Sequence, residues 1–281
     1  MHLPTLFVSH GAPTLAVEDN GTTRFLRTLG AVLPRPRAIL IASAHWDTAQ
    51  PMLGGALLPE TIHDFGGFPD ALYRLRYAAP GAPDLAARAQ ELLRAAGFPA
   101  GIDATRGLDH GAWVPLLHAW PAHDVPVLPL SIQSHLGPEH HFRVGRALAP
   151  LADEGVLIVG SGSITHNLRE VFARRKDPQE PAWMRAFVDW MGERLEAGAA
   201  ADGYADVLNY RAQAPEAVRN HPTDEHLLPL YVALGAAGEG AAARRIHAET
   251  TWGALAMDAY LFGRDLEPLA GRLREAERAA A

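Results

Sequence analysis

The sequence predicts a single α/β domain in which a mainly parallel sheet is covered by helices on both faces. Two observations support this fold class. Continuous apolar runs, typical of strands buried on both faces, alternate along the chain with segments whose apolar residues have helical spacing. In addition, the 281 residues contain no internal repeat and no clear linker, which favours one domain over residues 1–281.

Apolar runs bounded by turn residues predict the strands of the sheet. Four runs have this character, at residues 3–8, 38–42, 125–132 and 156–159. The later segment 244–261 predicts one or two further strands. We expect the runs that alternate with helices to lie parallel in one sheet, with their carboxyl ends at the same edge.

Helical spacing of apolar residues predicts the intervening helices. The segment 82–96 ends at Gly97, a natural helix C-cap, and the segment 226–234 ends at Gly235 in the same way. Further helices are predicted at residues 113–120, 139–151 and 183–195. The charged segment 173–180 predicts a loop, and the alanine-rich residues 270–281 predict a loose C-terminal tail, a solvated or frayed helix.

Composition and charge exclude several classes of protein. The net charge of −7 offers no basic surface for nucleic acid, and the absence of cysteine excludes disulfides, thiolate zinc sites and cysteine nucleophiles. No apolar run is long enough to span a bilayer, and the N-terminal residues do not have the pattern of a secretory signal. We therefore expect a cytoplasmic protein with no nucleic-acid or membrane partner.

Histidines stand at or just beyond the ends of three predicted strands. These are His10, His45 and His166, and ligands bind at the carboxyl ends of the strands in open α/β sheets. Two more histidines, His110 and His226, stand where predicted helices start. Imidazole is the commonest metal ligand and the usual acid–base group near neutral pH, so two or three of these five would suit Zn²⁺ or Fe²⁺.

Two other residues, Glu225 and His63, have both a functional and a structural interpretation. Glu225 precedes His226 and is either a ligand or an acidic residue favoured by the first turn of a helix. His63 in TIHDFGGFP is equally compatible with a turn and with a substrate pocket. Gly160 and Gly162 follow the strand that leads to His166, and we expect them to let the backbone turn sharply there.

Seven segments carry a resemblance to a known family. In chain order they are SHGAPTLAVEDN, RPRAILIASAHW, TIHDFGGFPDALY, YAAPGAP, GLDHGAWVPL, SGSITHNL and HPTDEHLLPL. Together they resemble the class III extradiol ring-cleavage dioxygenases, in particular the branch of 4,5-DOPA dioxygenase extradiol-like proteins, over about residues 3–261. The resemblance implies an α/β sheet with helices on both faces and a metal in a pocket at one end.

The resemblance also implies roles for the five histidines. It implies that His10, His45 and His226 bind one divalent metal per chain. It implies that His166 is the acid–base residue, close enough to the metal to serve as a fourth ligand, and that His110 binds substrate or stabilises oxygen species. The wider superfamily has glutamate where His226 stands, so this set of three neutral histidines suits Zn(II) as well as Fe(II). We expect Fe(II) for activity and Zn(II) in the isolated protein.

The activity implied by the resemblance is ring opening of a catechol, similar to L-DOPA, with O₂. The bond next to the diol would break, and a muconic semialdehyde would form. The partners would be a small aromatic diol and O₂, and the protein would be a monomer or a homodimer. Two other functions fit the same histidines: a zinc-dependent hydrolase and a non-catalytic metal-binding protein on the same fold.

Overall fold

The computed structural model describes residues 3–174, 176–177, 179–198 and 203–280. Within these ranges the strands are β1 (Thr5–Ser9), β2 (Ala38–Asp47), β3 (Met52–Gly54), β4 (Gly101–Asp103), β5 (Val127–Ile132), β6 (Val156–Gly162), β7 (Ala242–His247), β8 (Thr250–Thr251), β9 (Leu255–Ala256) and β10 (Ala259–Gly263). Two short 3₁₀ helices span Pro13–Val17 and Ser134–Leu136.

Helices occupy most of the segments between the strands. They are α1 (Gly21–Val32), α2 (Asp70–Arg74), α3 (Pro83–Ala95), α4 (His110–Ala119), α5 (Gly137–Leu148), α6 (Pro150–Asp153), α7 (Leu168–Arg174), α8 (Ala182–Ala197), α9 (Gly203–Leu208), α10 (Tyr210–Gln213), α11 (Ala217–Asn220), α12 (Leu228–Ala236) and α13 (Glu267–Ala280). None of the helices in the described part of the chain combines the length and the apolar character that a membrane span requires.

Eight strands form one sheet in the order β4-β3-β5-β2-β6-β1-β10-β7. The neighbours β5, β2, β6 and β1 are parallel, whereas β10 and β7 add an antiparallel edge. The predicted single α/β domain with a mainly parallel sheet is therefore confirmed. Because β2, β6 and β1 are adjacent and parallel, their carboxyl ends lie side by side at one edge of the sheet.

Both faces of the sheet are buried, as the continuous apolar runs predict. On β2, Leu40 belongs to a cluster with residues of α3, α5 and α12, and the next residue, Ile41, belongs to the cluster that includes α1 and α4. Both side chains are fully buried. Burial of one such side chain stabilises the fold by about 1.5–3 kcal/mol. The strands that lead to the histidines are therefore rigid supports.

Helices α1 and α12 are among those that differ from the sequence prediction. Helix α1 was not predicted; Asn20 caps it by accepting a hydrogen bond from the Thr23 N–H. Helix α12 begins at Leu228 instead of His226, since Pro229 favours the first turn, where its missing N–H costs no hydrogen bond. His226 consequently lies in the turn before the helix.

The segment from residue 270, predicted as a loose tail in the form of a solvated or frayed helix, is helical over the described residues. Residues 267–280 form α13, and its side chains Leu269, Ala270 and Leu273 are buried. With Leu266, which precedes the helix, they stand three or four residues apart and form an apolar stripe that packs on the domain. Ala281 lies outside the described residues.

Candidate metal centre

Three histidine rings meet at the edge where β1, β2 and β6 end. His10 directly follows β1, His45 lies near the end of β2, and His226 lies in the turn before α12. The Nε2 atoms of His10 and His45 are 3.0 Å apart, and those of His45 and His226 are 3.3 Å apart. The structure thus brings together the three residues predicted to bind the metal.

The other nitrogen of each ring faces a hydrogen-bond acceptor. His10 Nδ1 lies 3.0 Å from Ser161 Oγ, whose own hydrogen is donated to the carbonyl of Gly111. His226 Nδ1 lies 3.1 Å from Glu225 Oε1, and His45 Nδ1 lies 3.5 Å from Asp64 Oδ2. Each Nδ1 therefore carries the hydrogen, and the lone pair of each Nε2 points to the common centre.

Burial keeps these rings neutral. Burial, followed by the repulsion of neighbouring histidines, lowers the pKa of His10 and of His226 well below the usual value. Burial also lowers the pKa of His45 to about 3, although Asp64 and Glu225 act in the opposite direction. Neutral imidazole is the form that binds a metal, so the centre is ready for an ion at neutral pH.

The donor set fits one divalent ion. Ligands at 2.0–2.1 Å in tetrahedral geometry lie about 3.3 Å from one another, which agrees with the two nitrogen separations. The carboxylates of Asp64 and Glu225 balance the two positive charges of such an ion. Three nitrogen donors leave coordination positions for other molecules, and they suit both Zn²⁺ and Fe²⁺.

Among the described residues, two other groups of side chains are close enough to bind an ion but are less suited to it. They are His45, Asp64 and His110, and His166, Glu225 and His226. In both, the carboxylate faces histidine Nδ1 atoms, and ion binding would require those nitrogens to lose their hydrogens. In this structure the Glu225 carboxylate therefore supports His226 by contacting its Nδ1. Glu225 would lose that contact if it bound the ion directly.

His110 is the first residue of α4 and lies beside the three rings. Its ring centroid is 4.0 Å from that of His45 and 5.4 Å from that of His10. Asp109 caps α4, and Ser43 on β2 donates a hydrogen bond of 2.5 Å to the Asp109 carboxylate. This bond ties the start of the helix to the strand that carries His45.

His166 lies on the other side of the centre, after β6. Its ring stacks on that of His226, with centroids 3.3 Å apart and planes inclined by 10°. The N–H of His166 donates to the carbonyl of Asn220, and His221 Nε2 donates to the carbonyl of Ile164. Burial lowers the pKa of His166 to about 4, against the attraction of Glu225. The role of His166 as a fourth ligand stays a prediction.

The glycines of β6 act differently from the sequence prediction. Gly160 and Gly162 lie in extended strand and do not have positive φ, so the expected sharp turn is absent at these two residues. Instead they allow a close approach of the backbone. A Cβ on Gly162 would overlap the carbonyl oxygen of His226, and a Cβ on Gly160 would overlap that of Pro229. The strand thus sets the position of His226.

An aromatic wall next to His110 is formed by Phe65, His63, Tyr73 and Trp113. The Phe65 centroid lies 5.8 Å from that of His110 and within 5.7 Å of those of His63 and Tyr73. His63 Nε2 is 3.2 Å from the carbonyl oxygen of Leu75, so the ring has a structural partner, and its role in a substrate pocket stays a prediction.

Sequence reasoning missed Asp64. Its carboxylate contacts both His45 and His110. The only signal is its place in TIHDFGGFP, beside His63. A single acidic residue in a loop has no periodicity that predicts its partners.

Comparison with known proteins agrees with this architecture. Residues 2–258 match the family model described as the catalytic LigB subunit of aromatic ring-opening dioxygenase. A Beta vulgaris protein named 4,5-DOPA dioxygenase extradiol is 45% identical over 92% of this chain and 96% of its own. An Escherichia coli K12 protein of the same name is 42% identical over 83% of this chain and 85% of its own.

A solved structure supports the same conclusion. The crystal structure of an uncharacterized Escherichia coli K12 protein matches with a TM-score of 0.77 and 34% identity, over 93% of this chain and 100% of that one. The family match covers nearly all of the chain, and the identities extend over most of both partners. This chain belongs to the LigB family of aromatic ring-opening dioxygenases, and it is an oxidoreductase of the extradiol type.

Proposed function

We propose that this protein is an Fe(II)-dependent extradiol dioxygenase that opens the ring of a catechol similar to L-DOPA and forms a muconic semialdehyde. The observation that carries the proposal is the convergence of three histidine Nε2 atoms next to two further histidines, His110 and His166. The names of the relatives support L-DOPA as the model for the substrate.

His10, His45 and His226 would hold the ion. When bound there, Fe(II) supplies Lewis acidity toward the two catechol oxygens and redox chemistry toward O₂. Zn(II) suits the same nitrogens but has no redox chemistry. We therefore expect zinc in the isolated protein and iron in the active form.

His166 is the proposed base. Its ring is neutral at pH 7, and its Nδ1 is 3.9 Å from Glu225, so Nε2 is the atom available to the substrate. There it would accept the proton of a catechol hydroxyl and later return it during ring opening. The balance needs no other reductant: one ring C–C bond next to the diol breaks, and both atoms of O₂ enter the product.

His110 and the aromatic wall would hold the substrate. His110 Nδ1 is engaged by Asp64, so Nε2 is left for a hydrogen bond with a substrate oxygen. Phe65 offers apolar surface beside it, and the buried ring of Trp113 packs behind Phe65. Aromatic side chains with a few placed polar groups are typical of sites for small aromatic ligands.

Oxygen uptake tests the proposal directly. The protein is stripped of metal, reloaded anaerobically with Fe²⁺ or Zn²⁺, mixed with a panel of catechols that includes L-DOPA, and exposed to air. We expect oxygen uptake and a new yellow chromophore with the iron form alone. No uptake by either form would overturn the proposal, and zinc-dependent ester or amide cleavage without uptake would indicate a hydrolase. A cytoplasmic location and a monomeric or homodimeric state remain predictions.

A further inference from the structure

One carboxylate contacts two of the clustered histidines. Asp64 Oδ1 accepts a hydrogen bond of 2.9 Å from the His110 N–H, and Asp64 Oδ2 lies 2.9 Å from His110 Nδ1. The same Oδ2 is 3.5 Å from His45 Nδ1. Although the residue as a whole is exposed, the side chain is only 22% exposed. Asp64 therefore faces one predicted metal ligand and one residue of the proposed substrate pocket.

Contacts of the residues before and after Asp64 fix the segment that carries it. The N–H of Ile62 donates to the carbonyl of Leu108, and Trp113 Nε1 donates to the carbonyl of Ile62. Phe65 then packs edge-on against the His110 ring. These contacts join the segment to α4 and to the residues just before it, so the carboxylate and the His110 ring keep one relative position.

The charge state of Asp64 decides where the hydrogen of His110 resides. A carboxylate is ionised at neutral pH, and both oxygens of Asp64 meet His110: Oδ1 accepts the backbone N–H, and Oδ2 lies 2.9 Å from Nδ1. An ionised carboxylate only accepts hydrogen bonds. His110 Nδ1 must therefore donate, and its lone pair is left on Nε2, the atom turned away from Asp64.

We propose that Asp64 is a positioning residue that fixes the Nδ1–H tautomer of His110 and supports the ring of His45. This inference rests on the proposed function, because it assigns His110 Nε2 as the acceptor that meets the catechol. A carboxylate behind a metal-binding histidine also fixes the ring orientation, and loss of such a partner typically lowers metal affinity 10–100-fold.

The variant Asp64→Asn separates charge from shape. The amide keeps an oxygen for the His110 N–H, but an NH₂ replaces the oxygen that faces Nδ1. This group donates, so His110 must accept at Nδ1 and carry its hydrogen on Nε2. The equivalent change in a serine protease triad leaves the geometry intact and lowers kcat about 10⁴-fold through the wrong tautomer.

Nitrogen NMR of the histidine rings in the zinc-loaded protein is the decisive measurement, because it needs no turnover. We expect the Nδ1–H tautomer for His110 in the native protein and the Nε2–H tautomer in Asp64→Asn, with His110→Gln used to assign the signal. A native His110 with its hydrogen on Nε2 would overturn the inference even if the variant fails to fold.

Kinetics and metal affinity complete the test. With iron and a catechol that the native enzyme turns over, Asp64→Asn should lose at least about 10-fold in kcat with a smaller change in KM, and its zinc affinity should fall about 10-fold or more. Asp64→Glu should restore part of the kcat. Glu60→Gln, an exposed acidic residue on the same segment, should match the native protein.

The outcomes keep the two proposals apart. An unchanged tautomer and an unchanged kcat in Asp64→Asn would refute the role of Asp64 while leaving the dioxygenase proposal intact. If the native protein turns over no catechol, the proposed function fails, and the tautomer measurement still decides whether Asp64 positions His110.

Discussion

Substitution of Gly162 by alanine tests how the sheet holds the metal centre. Gly162 is the last residue of β6, and the N–H of the next residue, Ser163, donates a hydrogen bond of 2.8 Å to the carbonyl of His226. An added Cβ would lie 2.0 Å from that same carbonyl oxygen, and real Cβ contacts stay beyond 3.0 Å. Strand and turn must therefore separate by about 1.0 Å.

The size of this shift sets the expected effects. Metal–ligand distances tolerate about 0.2 Å, so a displacement of about 1 Å at the backbone of His226 is about five times that tolerance. We expect Gly162→Ala to lower zinc affinity at least about 10-fold and iron-dependent turnover about 100-fold. The added methyl group should also destabilise the fold by about 1–3 kcal/mol, the usual cost of overpacking a core.

Competition with a chromophoric chelator measures the zinc affinity, and urea unfolding of the metal-free protein measures the stability. The matched control is Gly271→Ala in α13, where the nearest heavy atom to an added Cβ is Arg274 Nη2 at 4.0 Å. That variant should retain native affinity and be at least as stable, since alanine favours a helix. Native zinc affinity in Gly162→Ala would refute the reasoning.

Three further predictions follow from the site and the core. His226→Ala should abolish zinc binding, whereas the exposed His135→Ala should not; equal affinity by equilibrium dialysis would contradict the assignment. His166→Ala should keep zinc and lose about 100-fold or more in iron-dependent turnover, so full activity would disprove its role as a base. His141 is buried, and burial lowers its pKa from 6.5 to about 4 despite the hydrogen bond with the carbonyl of Gly137. Since the unfolded chain binds the proton more readily, stability should fall as the pH drops from 6.5 toward 4, by about 2 kcal/mol at pH 5. Urea unfolding at pH 7.5 and 5.0 should show a smaller loss in metal-free His141→Gln than in the metal-free native protein; an identical loss would count against this cause.

The sheet and its histidines could be predicted from sequence because their signals are local. The runs that became β1, β2 and β6 are continuous and apolar, and each is followed by or ends near a histidine. Since parallel strands end at one edge, His10 and His45 could be expected to meet. The helical spacing over residues 226–234 placed His226 at the start of a predicted helix, and the family resemblance then singled it out as a metal ligand.

Other features depend on packing between distant segments. Asp64 and His110 are 46 positions apart, and only the tertiary structure shows that the carboxylate meets the ring. Glycine is needed at position 162 for an equally remote reason. The carbonyl of His226 leaves no room for a Cβ there, whereas the local φ would allow any residue. Helix α1 was missed because its apolar residues Phe25, Leu26 and Leu29 follow a start rich in glycine and threonine.

The product formed from a catechol tests the central claim most directly. The iron-loaded protein is supplied with air and 3,4-dihydroxyphenylacetate, a catechol without an amine, and the product is examined by proton NMR and by oxygen consumption. The account predicts one O₂ consumed per catechol and an aldehyde proton, because the bond next to the diol breaks. A dicarboxylic product without an aldehyde would contradict the account. So would the absence of oxygen consumption with both this catechol and L-DOPA.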